Sequence, residues 1–226
     1  MIKRILIVAA TETEADALKR IARLKTSRDG FCLGEAEISL LITGVGTIAT
    51  AWSMSKWLSS NAGADLVLNI GIAGSFREDI SIGEVVVPVS DCFADAGIES
   101  GSKFLTLAEA GLTDPDTFPF NAGRLRVKNR YVDRITEILR PVNAVTVNTA
   151  TGSASTAEKL TLKFEPDIET MEGAAFFYIC SRENLPFLAL RSISNMIEPG
   201  NRKQWKIPLA VNTLSEKLEE ILLIIN

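Results

Sequence analysis

A carboxylate and an amide occupy two positions of this sequence where α/β proteins commonly bind small ligands. Glu172 begins an apolar stretch that is typical of a helix, and Asn195 ends an apolar stretch that is typical of a strand. Ligands of α/β proteins usually bind at the edge where the strands of the sheet end. We therefore expect Glu172 and Asn195 to meet at one sheet edge and to face the same ligand.

The absence of histidine limits the chemistry that such a site can perform. The 226 residues include no histidine, which excludes a Ser-His-Asp triad, a histidine-assisted cysteine nucleophile and the common histidine-rich zinc sites. Acid–base chemistry must use other side chains, and carboxylates whose pKa is raised by burial suit a reaction near neutral pH.

The composition favours a globular protein that binds neither nucleic acid nor membranes. The net charge is −4 and the pI is near 5.1, whereas binding to a phosphate backbone needs clustered Lys and Arg. No apolar stretch is long enough to span a bilayer, and the run after Lys3 and Arg4 is too short for a signal peptide. The cysteines are odd in number and far apart, which predicts buried thiols in a reduced, cytoplasmic protein.

Alternating strands and helices predict an α/β sandwich on a mostly parallel or mixed sheet, in one domain over residues 1–226. Strands are predicted at residues 3–10, 38–42, 65–70, 84–89, 142–147 and 186–193. Helices are predicted at residues 12–24, from 46 to about 60, and at 131–139, 155–164, 170–182 and 208–225. Residues 113–123 are predicted to form a long surface loop.

Two local patterns have both a structural and a functional interpretation. Gly44, Gly46 and Ala49 match a dinucleotide-binding fingerprint, but the acidic residue expected at the end of the next strand is absent. This favours a tight strand-to-helix turn over a nicotinamide or flavin site. Thr11 and Glu14 match a capping box at the start of the first helix.

The segments around Glu172 and Asn195 resemble the nucleoside phosphorylase and nucleosidase family. The segment 171–175, Met-Glu-Gly-Ala-Ala, is similar to a family signature, and the segment 190–195 ends where the family places the residue that handles the purine. The resemblance extends from residue 3 to about residue 215. It implies a three-layer α/β sandwich with a central mixed β-sheet flanked by helices, a small-molecule nucleoside substrate, no metal or organic cofactor, and a homodimer or larger homo-oligomer.

The resemblance implies roles for the side chains around the sugar. Glu172 is expected to bind the ribose 2′- and 3′-hydroxyls and to stabilise the cationic sugar that forms as the glycosidic bond breaks, while Met171 packs on the sugar face. Glu14 aligns with the acid that activates water, and Glu12 takes its place if the register is shifted by two. A purely structural role in the capping box is the alternative for Glu14. For Glu172 the alternative is a favourable interaction with the dipole of its own helix.

The segment 71–74, Gly-Ile-Ala-Gly, is expected to form a strand-end loop whose backbone amides approach the ligand, with a simple tight turn as the alternative. By the resemblance, Ile72, Ala73 and Gly74 border the ribose and the nucleophile. Phosphorolytic members of the family place Arg at the position of Asn69 and a hydroxyl at that of Ile72, and both hold phosphate. Neither group is present, so the resemblance implies that water is the nucleophile.

Asn195 is the basis for predicting the leaving base, although a turn cap is its structural alternative. Adenosine-type nucleosidases of the family carry Asp here, whereas an amide presents a donor and an acceptor. Its NH₂ is expected to donate to a 6-oxo group while its carbonyl accepts from a protonated N7, which suits hypoxanthine better than adenine. Ser194 and Asn195, followed by Arg202 and Trp205, resemble the futalosine-cleaving members of the family, as does the segment 93–99.

The contacts to the base are predicted from the same resemblance. The backbone of Ala154–Thr156 is expected at the edge of the base. Ser155 replaces the aromatic residue that stacks on the base in adenosine-type relatives. Stacking is therefore expected from Phe93, Phe104 or Trp205, or it is absent.

The resemblance and these residues together predict an N-ribosyl hydrolase that cleaves futalosine to hypoxanthine and dehypoxanthine futalosine in menaquinone biosynthesis. Arg202 is expected to pair with the benzoate carboxylate of that substrate, with ordinary solvated charges as the alternative for Arg202 and Lys203. A 5′-methylthioadenosine/S-adenosylhomocysteine nucleosidase and a purine nucleoside phosphorylase are the enzymatic alternatives. A non-catalytic nucleoside sensor or a dinucleotide-binding module is the alternative from a different class.

Overall fold

The computed structural model describes residues 2–27, 30–61, 63–101, 103–198 and 202–225, with the side chain of Arg202 outside the described part. In chain order the strands are β1 (Arg4–Ala9), β2 (Lys25–Ser27), β3 (Gly30–Leu33), β4 (Ala36–Ile42), β5 (Leu66–Ser75), β6 (Val85–Asp91), β7 (Gly97–Ser100), β8 (Lys103–Thr106), β9 (Leu125–Arg126), β10 (Arg140–Thr146), β11 (Ile168–Thr170) and β12 (Phe187–Met196). The helices are α1 (Glu12–Lys19), α2 (Thr47–Ser60), α3 (Arg130–Ile135), α4 (Ala154–Phe164), α5 (Gly173–Arg182) and α6 (Ile207–Ile225).

Ten strands form one mixed sheet among the described residues. Its order is β11-β10-β6-β12-β5-β1-β4-β3-β2, and β9 pairs with β6. β12 pairs in parallel with β5 and antiparallel with β6. Because β11 pairs with both β10 and β5, the strands β5, β12, β6, β10 and β11 form a closed circuit. Helix α1 packs against α6 and α2 packs against α5. The predicted mixed sheet flanked by helices is confirmed.

Burial of the sheet on both faces explains the apolar strand pattern. Residues 5–9 of β1 form a continuous apolar run that is almost fully buried between β4 and β5. Helix α6 instead buries one stripe, with Val211, Leu214, Leu218 and Ile221 at helical spacing. Each such buried leucine or isoleucine contributes about 1.5–3 kcal/mol. The strand ends are therefore anchored in a packed core.

Every predicted strand and helix is present, but several bounds differ. Helix α1 ends at Lys19 instead of residue 24, and α3 ends at Ile135 instead of residue 139. Helix α5 begins at Gly173, since residues 168–170 pair with β10 and β5 as strand β11. The prediction that residues 71–74 form a strand-end loop is wrong, because they continue β5 and pair with β12.

The remaining expectations about organisation concern the long loop and the chain as a whole. Residues 113–123 contain neither helix nor strand, as predicted. Across the described ranges, no helix is long and apolar enough to cross a membrane, and no three His, Cys, Asp or Glu side chains are grouped so that they could hold a metal ion. The single-domain organisation over residues 1–226 stays a prediction.

Candidate active site

A cavity of about 280 Å³ lies where β1, β5 and β12 end and where α1 and α5 begin. It brings together residues that are far apart in the sequence and belong to different elements. The predicted site residues in its wall are Glu14, Ile72, Ala73, Gly74, Met171, Glu172, Asn195 and Trp205. Two predicted carboxylates and one predicted amide thus face one cavity at the edge of the sheet.

The carboxylate of Glu14 is fixed by hydrogen bonds from two neighbouring segments. Its Oε2 accepts from N (3.1 Å) and Oγ1 (2.9 Å) of Thr11, and its Oε1 accepts from N of Ile72 (3.0 Å). The capping box with Thr11 is present. A Cβ at Gly71 would lie 2.6 Å from Oε1, so glycine leaves room for the carboxylate there. Glu14 is therefore both the capping acid of α1 and part of the cavity wall.

The carboxylate of Glu172 is held by the glycine turn between β4 and α2. Its Oε1 accepts a hydrogen bond from N of Gly46 (2.9 Å). Gly44 and Gly46 have φ values of 87° and 95°, a region that side chains disfavour. Burial raises the pKa of Glu172 above its usual range, opposed by the Gly46 N–H and by the charge of Arg191. The turn with the dinucleotide-like pattern thus presents a backbone donor to Glu172.

A buried arginine lies behind the two carboxylates, and the sequence interpretation gave it no role. The guanidinium of Arg191 donates to the backbone oxygen of Asn69 (3.1 Å) and to Oδ1 of the same residue. Nδ2 of Asn69 donates to the backbone oxygen of Val8 (3.0 Å). The positive charge of Arg191 interacts favourably with Glu172 and Glu14. Arg191 therefore offsets the repulsion between two neighbouring carboxylates.

The amide of Asn195 has a defined orientation at the end of β12. Its Oδ1 accepts a hydrogen bond from Oγ of Ser194 (2.8 Å), and its Nδ2 donates to the backbone oxygen of Met196 (3.0 Å). An amide has two N–H donors and two acceptor lone pairs. One donor and one acceptor therefore remain for a ligand in the cavity.

Of the three predicted stacking residues, Trp205 alone lines this cavity. Phe93 lines a second cavity beside Phe118 and Tyr178. Phe104 packs against Phe164, with 6.5 Å between the ring centroids. Trp205 is half-buried in the wall of the first cavity and follows a short 3₁₀ helix, Arg202–Gln204.

The segment predicted at the base edge is displaced by a few residues. Ala154–Thr156 are exposed in the first turn of α4 and do not line the cavity. Ser153 caps this helix by accepting a hydrogen bond from N of Thr156 (3.1 Å). From Ser153 onward the chain therefore leads away from the cavity into α4. Ala150 and Thr151, just before the cap, line the cavity instead.

Two further sequence candidates do not contribute a described side chain to the cavity. The side chain of Arg202 lies outside the described residues. Glu12, the alternative to Glu14, is exposed, pairs with Lys19 at 2.6 Å and is not part of the cavity wall. Glu14 lies in the cavity wall and Glu12 does not, and the water-activating role of Glu14 stays a prediction.

Sequence reasoning missed a third carboxylate in the cavity, that of Glu169. It is buried in β11, and its two oxygens accept hydrogen bonds from N (2.8 Å) and Oγ1 (2.5 Å) of Thr151. Burial raises its pKa, against the effect of both hydrogen bonds. The only signal in the sequence was an acidic residue three positions before Glu172. Its strand, β11, has three residues and was not predicted.

The sequence and the fold of this chain are similar to those of known proteins. Residues 4–225 match the sequence profile of the phosphorylase superfamily. The futalosine hydrolase of Streptomyces coelicolor is 28% identical, over 96% of this chain and 94% of that protein. The 5′-methylthioadenosine/S-adenosylhomocysteine nucleosidase of Buchnera aphidicola is 26% identical, over 91% and 86%. The structure of the Helicobacter pylori futalosine hydrolase has the same fold, with a TM-score of 0.79, 17% identity and 97% of each chain covered.

Proposed function

The chain belongs to the phosphorylase superfamily, and from this premise we propose that it is an N-ribosyl hydrolase that cleaves futalosine to hypoxanthine and dehypoxanthine futalosine. The observation that carries the proposal is the single cavity lined by Glu14, Glu172 and Asn195. It holds two carboxylates for chemistry at a sugar and an amide, instead of an acid, for the leaving base. Similarity to the futalosine hydrolase of Streptomyces coelicolor supports the same substrate.

Cleavage proceeds with the glycosidic bond breaking ahead of nucleophilic attack. Positive charge grows on the ribose as the bond electrons leave with the purine. The carboxylate of Glu172 binds the ribose hydroxyls and stabilises this charge in a buried site, where a fixed anion acts strongly. Glu14 orients a water molecule and accepts its proton as the water oxygen bonds to the anomeric carbon. Asn195 hydrogen-bonds the departing base.

Water is the nucleophile because the cavity offers little to an attacking phosphate. The side chain of Asn69 is buried and already bonded to Arg191 and to the backbone of Val8. The side chain of Ile72 carries no hydrogen-bonding group. A phosphate dianion would also approach the carboxylates of Glu14 and Glu172, which repel it.

The geometry of Asn195 favours a 6-oxopurine as the leaving base. Its free N–H can donate to O6, and its carbonyl oxygen can accept from N7–H of the leaving base. A 6-amino group presents donors instead, so the amide N–H meets another donor. A buried donor or acceptor without a partner costs about 1–3 kcal/mol, enough to separate the two purines.

The mouth of the cavity is suited to an apolar 5′ substituent. Val45, Ile197, Trp205 and Ile207 line it, and Val45 is 54% exposed at the rim. An aromatic ring packs favourably against such a wall. In this proposal Arg202 pairs with the carboxylate of that ring. Replacing Arg202 with Ala is expected to raise KM for futalosine and leave a substrate without a carboxylate unaffected, and equal KM changes for both would refute the pairing.

A panel assay tests the proposed activity. The purified protein is incubated with futalosine, 5′-methylthioadenosine and inosine, each with and without phosphate, and the free base is quantified. We expect hypoxanthine from futalosine at a rate that is independent of phosphate. A rate that requires phosphate would indicate a phosphorylase, and binding without release of any base would indicate a nucleoside sensor.

A 5′-methylthioadenosine/S-adenosylhomocysteine nucleosidase is the second candidate. The similarity to the Buchnera aphidicola enzyme and the apolar cavity mouth, which could also hold a thioether, favour it. The panel assay separates the two functions, since faster adenine release from 5′-methylthioadenosine than hypoxanthine release from futalosine would replace the first proposal with the second.

The proposal extends to assembly and cellular role. The protein forms a homodimer or larger homo-oligomer, supported by the exposed apolar side chains of Ile48 and Trp52 on α2. It acts in the cytoplasm in menaquinone biosynthesis, and its free cysteines fit a reducing compartment. Deletion of its gene is expected to make growth depend on added menaquinone or dehypoxanthine futalosine, and menaquinone-independent growth would contradict this role.

A further inference from the structure

One buried carboxylate in the cavity has no part in the sugar chemistry. Glu169 lines the cavity, is 5% exposed and belongs to neither of the elements that carry Glu14 and Glu172. Both of its oxygens accept hydrogen bonds from Thr151, which also lines the cavity. Each carboxylate oxygen has two lone pairs. One lone pair on each oxygen therefore remains for a donor from a ligand.

The strand register places Glu169 opposite the amide of Asn195. Gly74 in β5 is the register partner of Glu169 in β11 and of Asn195 in β12. Because neighbouring strands lie about 4.8 Å apart, the two backbones are separated by roughly 10 Å with Gly74 between them. A Cβ at Gly74 would lie 3.1 Å from Nδ2 of Asn195. The same Cβ would clash with Cδ1 of Ile197, so glycine makes room for the Ile197 side chain, which lines the cavity in the gap between the two polar side chains.

Hypoxanthine, a 6-oxopurine, and adenine, a 6-aminopurine, differ at the edge that faces away from the imidazole ring. In a 6-oxopurine, N1 carries a hydrogen and is a donor, whereas N1 of a 6-aminopurine is an acceptor. A carboxylate accepts hydrogen bonds and cannot donate them unless it is protonated. A base that contacts Asn195 through N7 and O6 directs its N1 across the gap toward β11.

We propose that Glu169 is a specificity-determining residue that accepts the N1–H of a 6-oxopurine and disfavours the 6-amino analogue. This inference rests on the proposed nucleosidase function and adds a second contact to that of Asn195. The Thr151 hydrogen bonds orient the carboxylate and oppose the rise in its pKa that burial causes. The amide of Asn195 then matches O6 and N7 of hypoxanthine, and the carboxylate of Glu169 matches its N1–H.

Glu169→Gln tests the inference, because a glutamine keeps the size of the side chain and can donate to N1 of a 6-aminopurine. kcat/KM is measured for futalosine and for its 6-amino analogue. We expect the ratio of futalosine to the 6-amino analogue to fall about ten-fold or more. A ratio that stays within about two-fold, with both substrates slowed equally, would show that Glu169 only supports the Thr151 segment and would overturn the inference.

Thr151→Val is the matched control, because it removes the hydroxyl hydrogen bond to Glu169 and keeps the carboxylate. It is expected to slow both substrates to a similar extent and to leave their ratio within about two-fold. A shift of the ratio as large as that of Glu169→Gln would contradict a direct contact. The thermal midpoint of each variant verifies that it is folded.

A measurement on the unmodified protein covers the case in which Glu169→Gln does not fold. Inhibition constants are compared for hypoxanthine and 1-deazahypoxanthine, which has C–H in place of N1–H. We expect 1-deazahypoxanthine to bind about ten-fold or more weakly, and equal affinity would overturn the inference. If the unmodified protein releases no hypoxanthine from futalosine, the proposed function fails; if it does and the ratio is unmoved, only the role of Glu169 fails.

Discussion

Glu14 is the capping acid of α1 and, in the proposed mechanism, also the group that activates water. Its oxygens accept hydrogen bonds from Thr11 and from N of Ile72, so the capping box that begins α1 also orients a carboxylate toward the cavity. Glu172 is oriented in a similar way by the N–H of Gly46. In both cases backbone donors fix the acid, which limits the reorganisation needed during reaction.

Glu14→Gln is predicted to lower kcat for futalosine by about 10²–10⁴-fold, because an amide cannot accept the proton of the attacking water. Substrate binding is retained, since the amide oxygen can still accept from N of Ile72. Steady-state kinetics and substrate titration measure the two effects. The control is Glu12→Gln, which changes an exposed acid outside the cavity and is expected to leave kcat within about two-fold. Equal losses in both variants would contradict the role of Glu14.

Asn195→Asp is predicted to shift preference toward the 6-amino analogue of futalosine, because the carboxylate accepts from an amino group and has no N–H for O6. The ratio of kcat/KM values for the two substrates is expected to change by about ten-fold or more. Competition between the two substrates in one reaction gives this ratio directly. An unchanged ratio would mean that Asn195 does not contact the base.

The pH dependence of kcat/KM is predicted to show the raised pKa of the buried Glu172 carboxylate. Its pKa is raised, chiefly by burial, and only the ionised form stabilises a cationic ribose. Activity should therefore fall on acidification at a pH above the ordinary glutamate pKa of about 4.3. A rate profile between pH 4 and 8 measures this limb, and Glu172→Gln should lack it. Full activity down to pH 4 would contradict the assignment.

For individual residues, the sequence predicted the position at the cavity when the side chain lies beside a recognisable strand or helix. Glu172 and Asn195 each adjoin the end of a long apolar element, so their convergence could be predicted from the element ends. The place of Glu14 at the same site was implied only by the resemblance to the family. Glu169 and Arg191 were missed because their positions at the site depend on strand pairing and on burial. Pairing across the sheet leaves no periodic trace in the local sequence.

At the scale of elements, the junction of β6 and α5 contains an acid in an unfavourable environment. Oδ1 of Asp91 accepts from Oγ1 of Thr146 (3.0 Å) and N of Cys92 (2.7 Å), while its Oδ2 has no hydrogen-bond partner among the described residues. Burial raises the pKa of Asp91 to about 7. A Cβ at Gly173 would lie 2.1 Å from Oδ2, so glycine permits α5 to begin against this acid.

Asp91→Asn is predicted to make the free energy of unfolding less dependent on pH. In the unfolded chain Asp91 ionises near pH 4, whereas in the folded chain it stays protonated until about pH 7. Stability therefore falls as pH rises through this window. Urea unfolding at pH 5 and pH 8 should show the variant gaining about 1–3 kcal/mol relative to the unmodified protein at the higher pH. An identical difference at both pH values would contradict the raised pKa.

The elements that sequence analysis missed are short and depend on their neighbours. Strands β2, β9 and β11 contain three residues or fewer, too few for an alternating pattern to be distinguished. The glycines of residues 71–74 predict a loop, yet pairing with β12 extends β5 through them. The long buried strands and amphipathic helices were predicted because burial imposes their periodicity.

At the scale of the whole molecule, the closed circuit of β5, β12, β6, β10 and β11 brings the ends of β5, β11 and β12 around one cavity. The start of α2 lies beside this cavity and exposes large apolar side chains to solvent. Ile48 is 84% exposed and Trp52 is 64% exposed, while Val45 lines the cavity. A partner subunit on this face would shield those side chains and help to close the site.

Trp52→Glu is predicted to weaken self-association and to lower kcat/KM together, because the same surface adjoins the cavity. Analytical ultracentrifugation gives the oligomeric state, and the assay with futalosine gives the activity. Leu223→Glu changes another exposed apolar residue, on α6, and is expected to alter neither quantity. Monomeric unmodified protein with full activity would contradict the proposed assembly.

The most direct test of the central claim is to identify the oxygen that becomes bonded to the anomeric carbon of the sugar during turnover. Purified protein is incubated with futalosine in ¹⁸O-labelled water containing phosphate, and the products are identified by mass spectrometry. We expect free hypoxanthine and one ¹⁸O atom in dehypoxanthine futalosine, with no sugar phosphate. A phosphorylated sugar, an unlabelled sugar product or intact futalosine would contradict hydrolysis at a site formed by Glu14, Glu172 and Asn195.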